Sequence, residues 1–200
     1  MKMLLLMKWN LKYMRIITGK LKGMNIPFKN KKYKDADVTT DKVKEALFDI
    51  IGSSVYGSSF MDLYGCSGQI GFEAFSRGAC SILINENNKD RFDFIKNFDS
   101  KIDPDEKIIL CRMSDFECIN YAGDKSYKFD YIFLDPPYPD AIGKNKYEEI
   151  VLHIMNSLIM NDDATIIIQH QKNITPKFDP EKCRRYNYGS NSLTFIKVNN

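Results

Sequence analysis

Between residues 60 and 169 the hydrophobic period switches repeatedly, and this constrains the fold more than anything else in the chain. Short apolar runs at 60–64, 82–85, 107–111, 131–134 and 164–169 alternate with stretches of helical spacing at 70–77, 89–98, 115–121 and 147–160. Strands that take turns with helices pair in parallel through helical crossovers, so the pattern predicts an α/β sheet covered by helices on both faces. Gly78 falls just past the second helix, where a left-handed residue is wanted. The flanks differ. At 13–28 two apolar segments surround Gly19 and Gly23, a hairpin signal followed by a polar, charged connector at 30–37. Val43, Ala46, Leu47, Ile50 and Ile51 then repeat at helical spacing, which predicts a helix over 41–51 capped by Thr39 or Thr40 and ended by Gly52. At the far end, 185–188 and 193–198 flank Gly189-Ser190-Asn191-Ser192 and read as an antiparallel hairpin.

Two hundred residues are one domain's worth of chain. With 44% hydrophobic and 28% charged residues the composition excludes a disordered, fibrous or membrane-embedded chain. The apolar run at 4–7 is hemmed by Lys2 and Lys8 and is too short for a signal sequence, so no export is expected. A net charge of +3 hides an asymmetry: residues 1–34 hold ten Lys or Arg and no acid, and the remainder carries −7. Such a division points to a basic arm for a polyanion and a body with another task; the plain alternative is a solvated tail. The five cysteines (Cys66, Cys80, Cys111, Cys118, Cys183) form no C-x-x-C pair, so neither a disulfide framework nor a zinc site is signalled and a reducing cytoplasm is expected. His153 and His170 read as packing or surface residues.

Two loops carry the chemistry. The first strand runs out in Asp62-Leu63-Tyr64-Gly65-Cys66-Ser67-Gly68, and a helix begins at once. Glycines at such a turn let backbone approach a ligand, and the helix start beyond offers N–H groups. A glycine turn alone fits a dinucleotide, a nucleoside or nothing. Glu86, at the end of the next strand, is spaced to take the hydroxyls of a ribose, which favours an adenosine-type ligand. Asp115, after the third strand, reads either as a partner for an adenine amino group or as a helix N-cap.

The second loop is Asp135-Pro136-Pro137-Tyr138. Two successive prolines end the strand and fix the backbone, presenting Asp135 and Tyr138 at the carboxyl edge of the sheet, where open α/β sheets bind ligands. The exocyclic amine of a purine is a poor nucleophile because its lone pair is delocalised into the ring. Hydrogen bonds from the amine to the Asp135 carboxylate and the Pro136 carbonyl would favour a pyramidal nitrogen aimed at an electrophilic methyl, with Asp135 stabilising the growing positive charge. Tyr138 would stack on the base, worth about 1–3 kcal/mol. A base paired in a duplex does not fit between these groups, so the substrate is single-stranded, looped or flipped out.

These residues resemble the bacterial 16S ribosomal RNA guanine-N2 methyltransferases (RsmD-like), within the class I S-adenosylmethionine-dependent methyltransferases. The likeness runs from about Met14 to Val198. It rests on MRIITGKLKG, TTDKVKEALFDII, MDLYGCSGQIGFEAFSRGA, FLDPPY and RRYNYGSNSLTFIK, with SRGA and the opening hairpin as the family's distinguishing parts. It implies a Rossmann-like, mostly parallel seven-stranded sheet with an antiparallel C-terminal hairpin and a small N-terminal β-hairpin. Residues 1–13 would precede the family's start, 14–38 would form an RNA-binding arm, and 39–200 the methyltransferase domain. Asp62, Tyr64, Gly65, Ser67 and Gly68 would then surround the methionine end of S-adenosyl-L-methionine, Glu86 its ribose and Asp115 its adenine. Asp135, Pro136, Pro137 and Tyr138 would receive the guanine, and Arg15, Lys20 and Lys22 would grip 16S rRNA. The implied target is guanine 966, in free 16S rRNA or a partly assembled 30S subunit, with no metal, no membrane and a monomeric enzyme. This chain departs from the family at Asp37-Val38-Thr39, where Arg-Pro-Thr is usual, at Gly65-Cys66, where Ala-Gly is usual, and at Gln169, where an acid is common. Two alternatives stay open: adenine-N6 methylation of DNA or RNA, and an RNA-binding assembly factor whose cofactor pocket has decayed.

Overall fold

The computed structural model describes residues 14–29, 39–103, 105–137, 146–174 and 177–198. Its centre is a seven-stranded sheet built from β3 (Ser59–Asp62), β4 (Ser81–Asn85), β5 (Ile108–Cys111), β6 (Phe129–Leu134), β7 (Met160–Gln171), β8 (Cys183–Tyr188) and β9 (Asn191–Lys197). The order across the sheet is β5-β4-β3-β6-β7-β9-β8. The first five run parallel, while β9 lies antiparallel to both β7 and β8. This is the sheet expected from the sequence. A separate two-stranded hairpin, β1 (Met14–Arg15) and β2 (Asn25–Ile26), precedes it.

The helices are α1 (Asp41–Ile51), α2 (Gln69–Ser76), α3 (Lys89–Asp99), α4 (Asp115–Asp124) and α5 (Lys146–Asn156). Side chains alternate between the two faces of each strand, and both faces of the central strands β3, β4, β6 and β7 are covered. Phe60, Ile82, Ile84, Phe133 and Ile167 pack on the side of α1, α2 and α3. Met61, Leu83, Ile132, Leu134, Ile166 and Ile168 pack on the side of α4 and α5. Burial on both faces explains why these strands are uninterrupted apolar runs. The hairpin shares the first of these cores through Ile16, Ile26 and Phe28, so its base is anchored rather than frayed.

Local signals account for the element ends. Thr40 caps α1 by accepting from the Val43 N–H at 3.4 Å, and Gly52 follows at φ +65°. Asn88 caps α3 through the N–H groups of Asp90 and Arg91. Two boundaries differ from expectation. The helix expected over 147–160 stops at Asn156, because Leu158 turns to φ +58° and Met160 already pairs with Phe129 in the sheet. The closing turn is two residues, Gly189 and Ser190, not four, since Tyr188 already faces Asn191. Among the described residues no helix is long and apolar enough to cross a membrane.

Candidate active site

The chain leaves β3 towards β4 and β5 on one side, then returns to β6 on the other, so the strand order reverses between β3 and β6. Ligands of open α/β sheets bind at such a point, outside the carboxyl ends of the strands. Asp62 pairs with Phe133, and the Leu63 N–H donates to the Phe133 carbonyl at 3.1 Å. The glycine turn after β3 and the proline corner after β6 therefore emerge side by side. Both expected loops meet at one edge.

The turn folds back on itself: the Gly65 N–H donates to the Asn85 carbonyl at 2.7 Å and the Gly68 N–H to the Gly65 carbonyl at 2.6 Å. Gly68 sits at φ +75°, and a Cβ there would fall 2.5 Å from the Phe72 ring. Gly68, at the N-cap of α2, has no side chain to offer the helix. Beneath the turn Asp62 is buried; its Oδ2 accepts the Gly71 N–H at 3.1 Å, while its Oδ1 has no partner among the described residues. Burial, aided by the nearby Glu86 charge, pushes its carboxyl up to about 7 despite the Gly71 hydrogen bond. Ser67 is fully buried and its Oγ is also without a partner among the described residues.

Glu86 stands one residue past β4 and holds the turn from the opposite side. Its Oε2 accepts the Cys66 N–H at 2.9 Å, its Oε1 accepts the Asn88 N–H at 2.7 Å, and Arg91 approaches the same oxygen at 3.1 Å. Burial raises its pKa against these donors. Cys66 adopts φ +50°, the left-handed region that favours glycine. Burial pushes its thiol up to about 12.

Asp115 is the first residue of α4, not its cap. Ser114 takes that place in a capping box with Glu117, which corrects the N-cap alternative. The Asp115 Oδ2 instead accepts from the Tyr64 hydroxyl at 2.7 Å and pairs with Lys146 Nζ at 2.9 Å. Burial would raise the Asp115 pKa, but these donors outweigh it and hold the pKa below the usual value. Burial and the Asp115 contact raise that of Tyr64.

At the corner, Asp135 is half-buried, Pro136 buried and Pro137 exposed; Tyr138 lies outside the described residues, as do Asp37 and Val38. Two donors converge on Asp135 Oδ2: Thr39 Oγ1 at 3.0 Å and Gln169 Nε2 at 2.8 Å. Because the amide nitrogen faces a carboxylate, Gln169 Oε1 points elsewhere, buried and without a partner among the described residues. Neither grip is legible in the sequence, and neither are Arg91 on Glu86 and Lys146 on Asp115. Thr39 was visible only as a cap, and with Thr40 in that place its hydroxyl is released to Asp135. Gln169 reaches Asp135 because Leu134 pairs with Ile168, a register that no local signal encodes.

Arg15, Lys20 and Lys22 are exposed on the hairpin. Lys20 also lays its ammonium over the Phe75 ring, 3.3 Å from the centroid. His153 packs edge-on against Phe116, and His170 is held by Gln171 and Thr194, as packing residues are. Among the described residues no group of three or more His, Cys, Asp or Glu could hold a metal. A surface cavity of about 310 Å³ beside Pro27, Phe94 and Phe98 involves none of the residues of this edge.

A family model described as "Conserved hypothetical protein 95" matches residues 14–197. The "Ribosomal RNA small subunit methyltransferase D" of Buchnera aphidicola subsp. Baizongia pistaciae is 30% identical over 167 residues, covering 83% of this chain and 80% of its own. Among solved structures, a hypothetical protein of Thermus thermophilus superposes with a TM-score of 0.76 at 22% identity, covering 92% of this chain and 99% of its own. An RNA methyltransferase of Salinibacter ruber in complex with S-adenosyl-L-homocysteine superposes at 0.60 with 11% identity, covering 82% and 94%.

Proposed function

This chain belongs to the Conserved hypothetical protein 95 family, and from that premise we propose that it transfers a methyl group from S-adenosyl-L-methionine to the exocyclic N2 of a guanine in small-subunit rRNA, guanine 966. The relative named ribosomal RNA small subunit methyltransferase D supports the rRNA, and the ligand of the Salinibacter neighbour supports the cofactor. The observation that carries the reading is the Asp135 carboxylate, fixed by Thr39 and Gln169 one strand from the glycine turn.

The residues present fit the cofactor. The first N–H groups of α2 and the unpartnered Ser67 hydroxyl offer donors to a carboxylate, the Asp62 and Glu86 carboxyls offer acceptors to its ammonium and ribose ends, and Asp115, held by Tyr64 and Lys146, stands for the adenine side. When bound, S-adenosyl-L-methionine supplies a methyl carbon made electrophilic by the adjoining sulfonium. Asp135 and the Pro136 carbonyl accept hydrogen bonds from the guanine amine and orient its lone pair in line with that carbon. Asp135 then stabilises the charge that develops on nitrogen. The exposed Arg15, Lys20 and Lys22 meet rRNA phosphates, in free 16S rRNA or a partly assembled 30S particle.

Nucleoside mass spectrometry of small-subunit rRNA from a deletion strain tests this. Loss of N2-methylguanosine at one position, restored by the wild type and not by Asp135→Ala, is expected. Loss of N6-methyladenosine with N2-methylguanosine intact would overturn the acceptor. Calorimetric titration showing no heat with S-adenosyl-L-methionine would favour a binding-only assembly factor.

A further inference from the structure

A continuous run of hydrogen bonds joins the basic hairpin to the carboxylate at the proline corner. Lys44 is 0% exposed, and its Nζ donates to the Arg15 carbonyl in β1 at 2.6 Å and to Gln69 Oε1 at 3.2 Å, with Asp41 at 3.6 Å. The other end of the Gln69 amide donates through Nε2 to the Thr39 carbonyl at 2.7 Å. Thr39 Oγ1 in turn donates to Asp135 Oδ2, which Gln169 Nε2 also holds. The polarity is consistent at each step: ammonium to amide oxygen, amide nitrogen to carbonyl, hydroxyl to carboxylate. A fully buried ammonium is costly, and an apolar side chain of similar length would fill the same space. What the ammonium adds is a fixed spacing between β1 and the first residue of α2.

We propose that Thr39 and Gln169 are positioning residues of the transfer step, orienting the Asp135 carboxylate through Oδ2, and that Lys44 and Gln69 make this grip depend on the seating of the hairpin. The proposal rests on the reading of Asp135 as the group that accepts the guanine amine. A carboxylate turns about two side-chain bonds, and two donors on one oxygen remove that freedom; charge-assisted hydrogen bonds are the strong ones. Misplacing a reacting group by about 1 Å can cost about a hundredfold in rate. The hairpin thereby contributes to turnover as well as to RNA affinity.

Steady-state kinetics on 30S particles from the deletion strain, alongside calorimetric cofactor affinity, tests the proposal. Thr39→Val, close in shape but without the hydroxyl, should lower kcat at least tenfold while KM for the particle and cofactor affinity stay within about twofold. Thr39→Ser, which keeps the hydroxyl, should recover most of the loss. Lys44→Met should lower kcat at least fivefold and add little on top of Thr39→Val, because both cut one chain. Should Lys44→Met lose the fold, Gln69→Met cuts the next link. Thr39→Val and a folded relay variant both within twofold of wild-type kcat, beside an inactive Asp135→Ala, would overturn the relay and leave the role of Asp135 standing. Near-normal rates for Asp135→Ala would overturn that role and the relay with it.

Discussion

Cys66 holds a conformation that suits it poorly. At φ +50° a side chain costs about 1–2 kcal/mol, which the hydrogen bond from its N–H to Glu86 holds in place. The Cys66→Gly variant should therefore melt about 2 °C higher, measured by thermal unfolding. Its thiol, pushed up to about 12 by burial, stays protonated and unreactive at neutral pH. Asp62 sets a second test. Its carboxyl is raised to about 7 in the folded chain from the ordinary 3.8, so between these values the native state holds a proton that the unfolded chain has released. Stability attributable to this residue is thus full below about pH 4, falls as pH rises, and reaches its lowest level above about pH 7. Asp62→Asn removes the titration, so its stability relative to wild type should climb across that window and then level off. Urea unfolding at a series of pH values checks this, and a flat difference would count against it. At this scale the sequence announced Asp62, Glu86 and Asp135 by position at strand ends. It did not announce Arg91, Lys146, Thr39 or Gln169, whose partners lie across the fold.

At the scale of elements, the hairpin and α2 form one unit. Glu73, fully buried, accepts the N–H groups of Ile17 at 2.7 Å and Thr18 at 3.0 Å and pairs with Arg77 at 2.8 Å. Ser76 donates to the Thr18 carbonyl and accepts from Leu21, while its own carbonyl takes the Lys20 N–H. Gly19 is at φ +89°, and a Cβ there would lie 1.8 Å from the Ser76 carbonyl oxygen. Ser76 of the SRGA segment, with Glu73 held by Arg77, thus forms the socket of the opening hairpin. Glu73→Ala would strip acceptors from two backbone N–H groups and from a guanidinium, and should cost about 3 kcal/mol or more. Limited proteolysis should then cut within the hairpin before the sheet opens; simultaneous loss of both would mean the hairpin is no separate unit. The helix and strand assignments of the α/β region were legible because period and caps are local. The end of α5 was not, since β7 draws Met160 into the sheet, where it pairs with Phe129.

For the whole molecule, four of the ten basic residues of the first segment, Arg15, Lys20, Lys22 and Lys29, lie among the described residues. Arg15 and Lys22 stand exposed on a hairpin rooted in the same core as α1 and α2. Replacing both by glutamate should weaken rRNA binding and reduce the slope of log affinity against log salt by roughly one unit per lost phosphate contact. Lys20 is left intact because its ammonium also covers Phe75. An unchanged slope, read by filter binding over a salt series, would mean the hairpin charges do not meet phosphate. The sequence by itself determined the class of fold, the positions of the glycine turn and the proline corner, and the basic character of the first segment. Period, turn chemistry and net charge are properties of neighbours along the chain. Only the tertiary structure decided that β3 and β6 lie side by side, that Gln169 and Thr39 reach Asp135, and that a buried lysine ties the hairpin to that grip. Those contacts depend on strand register and helix docking, which arise from burying both faces of the sheet at once and leave no mark at any single position.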